Sequence, residues 1–138
     1  MPIGRSIRRI LIYDDAVLAI IVARVYPVSA PQNATLPYIV YQIVGSETLY
    51  HADNEAGLQA TRMQIDCYAE TYDAAYDLAD KVRLALSGYT GLISTILIRG
   101  IFLESQQDLS EPTVERGEKP LMRISADYEV WHDQTVPT

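Results

Sequence analysis

The sequence predicts an α+β domain in two layers: amino-terminal helices, then β-β-α-β-β, with a mostly antiparallel four-stranded sheet packed against a helix. Three observations carry that expectation. Apolar residues recur at helical spacing over 72–87. Two stretches, 62–70 and 121–132, instead alternate apolar and polar residues, the period of a strand with one buried face. The 138 residues, 49% apolar and 21% charged, suffice for one ordinary core and are too apolar for a disordered chain. A single domain over 1–138 is expected, with 133–138 as a flexible tail.

Residues 5–24 read as two helical pieces. Ile7, Ile10 and Leu11 share a stripe of the first; Arg5, Arg8 and Arg9, at i, i+3, i+4 spacing, could touch phosphate, but such spacing more often marks a solvated face. Asp14 and Asp15 suit the positive end of the second. The run from Ala16 to Ala23 is apolar on every side, so it is either buried all round or covered by another subunit. Pro27 stops the helix, and a connector rich in Pro, Ser, Ala, Gln, Asn and Thr leads to Pro37. Tyr38–Val44, β-branched and aromatic, forms the first strand; Met63, Ile65, Cys67 and Ala69 are the buried side of the second.

Thr71 caps the helix at 72–87, Asp73 and Asp77 suit its first turns, Lys81 and Arg83 its last, and Gly88 ends it. Ala75, Tyr76, Leu78, Ala79, Val82 and Leu86 are expected to form its buried stripe. A third strand follows at 95–104 and a fourth at 121–132, whose inward side is Met122, Ile124, Ala126, Tyr128 and Val130. Hairpins are expected to pair 38–45 with 62–70 and 95–104 with 121–132. The connections 46–61 and 105–120 are polar, acidic and longer than a compact hairpin needs, so they are expected to be functional or disordered.

Charge bears on function by exclusion. Eleven basic against eighteen acidic residues leave −7. Arg5, Arg8, Arg9 and Arg24 outweigh Asp14 and Asp15, so the first 24 residues carry +2 and the remainder −9. A domain built to hold nucleic acid by counterion release needs the opposite balance. The single cysteine, Cys67, permits no internal disulfide or thiolate zinc cage, and on the apolar side of a strand it reads as a small core residue. No leader pattern and no apolar run of ~18 residues occurs, so neither secretion nor membrane spanning is expected.

Catalytic constellations are sparse. His51-Ala-Asp53 has metal-compatible ligand types but no third partner in sequence. His132, beside Asp133, reads as a polar strand end. No Gly-x-Ser-x-Gly elbow, phosphate loop or dinucleotide fingerprint is present, and Glu70, Asp73 and Asp77 are explained by capping. The ten tyrosines are expected in half-buried core and subunit contacts. Neither an enzyme nor a cofactor or metal is expected.

The order of segments resembles a known family. Arg24-Val-Tyr-Pro27, Ala30-Pro-Gln32 and Leu36-Pro-Tyr-Ile-Val-Tyr-Gln42 come first. Arg62-Met-Gln-Ile-Asp-Cys-Tyr-Ala69 and the helix Asp73–Arg83 follow, then Gly100-Ile-Phe-Leu-Glu104, Gln107-Asp-Leu-Ser-Glu-Pro112 and Arg123-Ile-Ser-Ala-Asp-Tyr-Glu-Val-Trp131. Together they resemble the tail-completion, or tail-terminator, proteins of the neck of long-tailed bacteriophages and prophages. The resemblance spans roughly 16–132, and Met1–Asp15 matches least.

The resemblance implies a structural virion protein without catalytic residues. It implies a ring of identical subunits, usually a hexamer, that ends the tail tube and joins it to the head connector or stopper. Its place would be the tail–neck junction of the virion, after assembly in the host bacterial cytoplasm. DNA would pass through the ring without specific binding, and no membrane would be involved. The alternatives are a small α+β enzyme or ligand-binding domain, or a head-proximal stopper or adaptor ring protein of the same neck. Candidate subunit contacts are the outer faces of Val17, Ile20 and Ile21 and the aromatics Tyr41 and Tyr68. Asp108, Glu111, Glu115, Arg116, Glu118 and Lys119 are candidates for a loop that docks on the tube or lines the channel, where an acidic wall would let DNA slide.

Overall fold

The computed structural model describes residues 2–31, 34–51, 54–93, 95–109 and 121–133. Its elements are α1 (Pro2–Ile12), α2 (Asp15–Ile21), β1 (Val25–Pro27), β2 (Tyr38–His51), β3 (Asn54–Ala69), α3 (Tyr72–Leu86), β4 (Gly91–Ile93), β5 (Ile96–Asp108) and β6 (Met122–Asp133). The α+β class and both expected hairpins are present, β2 against β3 and β5 against β6. The caps act as the sequence predicts. The Asp14 carboxylate accepts from Val17 N at 3.1 Å to start α2, and Thr71 Oγ1 accepts from Ala74 N at 3.1 Å to start α3. After α3, Gly88 takes φ 74, a left-handed turn that glycine adopts without side-chain strain.

The sheet differs from expectation in having six strands, in the order β1-β2-β3-β6-β5-β4. Both additions are three-residue edges. β1 runs parallel to β2, its Pro27 tolerated because an edge strand has one side without ladder donors to supply. β4 folds back on β5 ahead of the strand expected at 95–104. Runs this short have no readable period and exist because a neighbouring strand offers its main chain.

The connections also differ from expectation. Most of 46–61 is strand: past an irregularity at Gly45 the β2–β3 ladder continues from Ser46↔Thr61 to Leu49↔Leu58. Polar side chains hid this, because the ladder is held by main-chain hydrogen bonds whatever the side chains are. Residues 105–108 likewise extend β5 against β6, while 110–120 lie outside the described residues. Asp133 belongs to β6, and the rest of the expected tail, 134–138, is also outside them.

One core cluster lies between the helices and one face of the sheet. α1 contributes Ile3, Ile7 and Leu11, α2 contributes Val17 and Ile21, and α3 contributes Leu78 and Leu86, whereas Tyr76, expected in the same stripe, is 38% exposed at its margin. Ile39, Met63, Ile65, Ile101 and Tyr128 meet them from the strands, all nearly or wholly inaccessible. α1 fits closely here: a Cβ on Gly4 would come within 3.1 Å of the Tyr41 ring.

Candidate functional site

The helices cover one face of the sheet, and strand alternation turns the intervening residues to the other. There Tyr26, Tyr38 and Tyr68 form an aromatic row across three strands. Tyr26 meets Tyr38 edge-on at 5.9 Å, Tyr38 stacks on Tyr68 at 4.9 Å, and the Arg123 guanidinium lies 5.7 Å over the Tyr68 ring. Burial and the neighbouring Tyr26 raise the Tyr38 phenol above its ordinary pKa. Arg123 also donates to Asp66 at 2.9 Å, and the Gln64 amide donates to the same carboxylate at 3.0 and 3.2 Å. Asp66 is only 5% exposed, so this pair holds a buried charge on the face opposite α1, α2 and α3.

A second polar feature ties three strands together. His132 Nδ1 donates to the Asp133 carbonyl at 3.0 Å, which leaves Nε2 to accept from Thr61 Oγ1 at 2.7 Å. With its proton so used, Thr61 accepts from Ser46 Oγ at 2.9 Å. The sequence reading of His132 as a polar strand end is corrected: it is 3% exposed and Thr61 is fully buried. Burial lowers the His132 pKa, more than the neighbouring Asp133 raises it. Ser46 thus meets a hydroxyl rather than the imidazole, and the imidazole is oriented by a neutral carbonyl. That differs from a nucleophile–base–carboxylate set and fixes register across β2, β3 and β6. A hollow of about 350 Å³, which neither Thr61 nor His132 borders, is lined by Val44, Gly45, Ser46, Glu47, Ala60, Arg62 and Glu129.

Cys67 is buried, and burial followed by the Asp66 charge pushes its thiol pKa far up, which suits a packing role. Among the described residues no three His, Cys, Asp or Glu side chains gather to hold a metal, and no helix is long and apolar enough to cross a membrane. Asp53 lies outside the described residues.

The predicted contact residues do not form one patch. Val17 and Ile21 are fully buried in the chain's own core, Ile20 is half-buried against it, and Tyr41 is 8% exposed on the helix-covered side. Tyr68 sits across the sheet from these, in the aromatic row. α2 turns Leu18 outward instead, and the exposed apolar side chains Val22 and Val28 flank β1. At the other edge of the sheet Leu92 and Phe102 are exposed. Of the predicted loop, Asp108 is exposed at the end of β5 and acts on Tyr72, whose phenol is pushed up to about 12 by desolvation and by Tyr76 and Asp108. Glu111, Glu115, Arg116, Glu118 and Lys119 lie outside the described residues.

These features define a class: a small α+β module whose polar and aromatic groups serve packing, register and surface contact. The family follows from comparison. The model of the family described as tail completion protein gp17 matches residues 5–133, nearly the whole chain and including most of α1, so the chain belongs to that family. It is therefore a structural component of the phage tail, located in the virion in association with other virion proteins. No curated protein matches it. Among solved structures, a chain from the virion of a native gene transfer agent particle is similar in fold, with TM-score 0.68 over 93% of this chain and 92% of that one at 16% identity.

Proposed function

We propose that the chain closes into a homomeric ring, a hexamer as in the family it resembles, that ends the tail tube and joins it to the head connector. Family membership over residues 5–133 is the observation that carries this reading. The distribution of exposed apolar side chains supports it. Val22 and Val28 border one edge of the sheet, Leu92 and Phe102 the other, between 52% and 72% exposed. Two unlike apolar edges suit a head-to-tail contact, which gives a finite particle only when the rotation closes. Val22 and Val28 also have φ of 48 and 68, a backbone region costly for β-branched residues. A protein that keeps apolar, strained residues at its surface gains most when another subunit covers them.

The acidic segment reaching from Asp108 into 110–120 is proposed to line the channel or dock on the tube protein. An acidic wall repels phosphate, so DNA slides past without being held. The experiment is addition of the purified chain to tails assembled without it, with native mass and electron microscopy as readouts. Rings capping the tube and restored head joining are expected; a chain that stays monomeric both free and on tubes overturns the ring. For the loop, Asp108, Glu111, Glu115 and Glu118 are changed together to lysine. Normal joining and normal DNA delivery by that variant would remove the segment from both roles.

A further inference from the structure

Two helices of the chain carry opposite charge on their exposed sides. From Pro2 to Ile12, α1 has Arg5, Arg8 and Arg9 and no acidic residue. Arg5 and Arg9 are exposed, Arg8 is half-buried, and among the described residues none of the three makes an ion pair. Arg8 Nε reaches the Val25 carbonyl only at 3.4 Å, and the Arg9 guanidinium stands 5.6 Å over the ring of Tyr13, itself 71% exposed. With Ile12, Pro27 and Tyr41 these side chains line an open hollow of about 450 Å³. Three cations at a partly apolar hollow, with no carboxylate among the described residues paired to them, are an unfinished arrangement.

The complement lies on the same chain. Between Glu70 and Asp80 there are four carboxylates and no base. Asp73, Asp77 and Asp80 are exposed along α3, with Tyr72 and Tyr76 among them, ring centroids 5.0 Å apart. The nearest cations, Lys81 and Arg83, stand 3.8 and 3.9 Å from Asp77 and Asp80, beyond hydrogen-bond distance, and those two carboxylates are 59% and 57% exposed. They remain open to bidentate contact with arginine.

We propose that these surfaces are the two halves of a contact between copies of this chain, α1 of one against α3 of the next. The inference rests on the ring reading and names the surfaces that would build it. A second copy is a better occupant of the arginine hollow than DNA: the chain after residue 24 carries −9 and repels a polyanion, whereas every copy brings its own acidic helix. Tyr13 on one side and Tyr72 and Tyr76 on the other add stacking area for the guanidinium groups. Because the halves differ, each copy leaves one of each unused, and the contact propagates until a ring closes.

Charge exchange in the full-length chain tests this. One variant carries Arg5→Glu, Arg8→Glu and Arg9→Glu; a second carries Asp73→Lys, Asp77→Lys and Asp80→Lys; a third carries all six. Native mass is followed in solution and on tail tubes assembled without the protein, at low and high salt. Each triple change should weaken assembly about tenfold or more, and mixing the two triple variants, or combining all six changes, should restore it. Circular dichroism checks the fold; if a reversed chain does not fold, Gln and Asn triples at the same positions replace it, and unchanged assembly by those overturns the contact. So does a folded six-change chain that fails to assemble. An α1 triple that keeps its rings but loses binding to a duplex DNA fragment assigns the hollow to phosphate and overturns the contact too. Rings by the unaltered chain with insensitivity to every change would remove this contact alone, whereas a monomer in both settings would remove the ring reading itself.

Discussion

At adjacent positions of β3, Ile65 and Cys67 point into the helical layer while Asp66 and Tyr68 point the other way, and the two sets are buried by different physics. The inner set is covered by α1, α2 and α3 and needs only shape and hydrophobicity. Among the described residues no layer lies above the outer set, yet Val40, Asp66 and Ser125 are only 6%, 5% and 8% exposed. Long neighbours surround them: Tyr38 and Tyr68 stack on one another across β2 and β3, and Arg123 bridges Tyr68 and Asp66. The inner face is fixed by volume, whereas the outer face is fixed by pairing.

The largest expected effect breaks the inner face. Leu78 is fully buried between α3 and the sheet, so Leu78→Ala should destabilise by about 2–5 kcal/mol in urea unfolding. A loss under ~1 kcal/mol would mean the helical layer is not the main source of stability. On the outer face, Arg123→Met strands the buried Asp66 carboxylate and should cost about 2 kcal/mol, discounted because Arg123 is itself 28% exposed. Changing Asp66→Asn in the same chain should recover part of that loss. Additive costs in this double-mutant cycle would show that the two residues are not coupled.

Next comes the hydroxyl chain. Thr61→Val leaves His132 Nε2 and Ser46 Oγ without their partner and should cost about 1–2 kcal/mol. It also bears on pH. Burial lowers the His132 pKa below its ordinary 6.5, so between those two values the unfolded chain binds a proton that the folded chain excludes. The stabilising contribution is complete above pH 6.5 and is lost as pH falls from there to the depressed value. Unfolding midpoints should therefore fall on acidification through that window, and less steeply for His132→Gln; parallel slopes would show that His132 does not titrate as its burial requires. The smallest effect belongs to neither face. Lys81→Ala removes only the exposed Asp77 pair at 3.8 Å and should change stability by no more than about 0.5 kcal/mol in the same assay.

Much of the inner face was legible in sequence, because it is periodic. Met63, Ile65 and Cys67 recur every second residue, and Leu78, Val82 and Leu86 at helical spacing, so strand, helix and their buried sides follow from local pattern. The caps at Asp14 and Thr71 were equally local. Edge strands β1 and β4 escaped because three residues carry no period, and the far half of the β2–β3 hairpin escaped because its ladder is main-chain. Val17 and Ile21 were indistinguishable by type from Leu18 and Val22 in an all-apolar run. Which of them faced out depended on where α2 docks.

The sequence by itself determined the class, the helices with their caps, the two central hairpins and the family, since each rests on short-range pattern or on the order of segments. Only the tertiary structure decided what lies between elements. Thr61 and His132 are 71 residues apart yet share a proton, and Asp66 and Arg123 are 57 apart yet share a charge. Each of those pairs depends on β3 lying beside β6, a long-range register that main-chain hydrogen bonding and core burial select together and that no local spacing encodes.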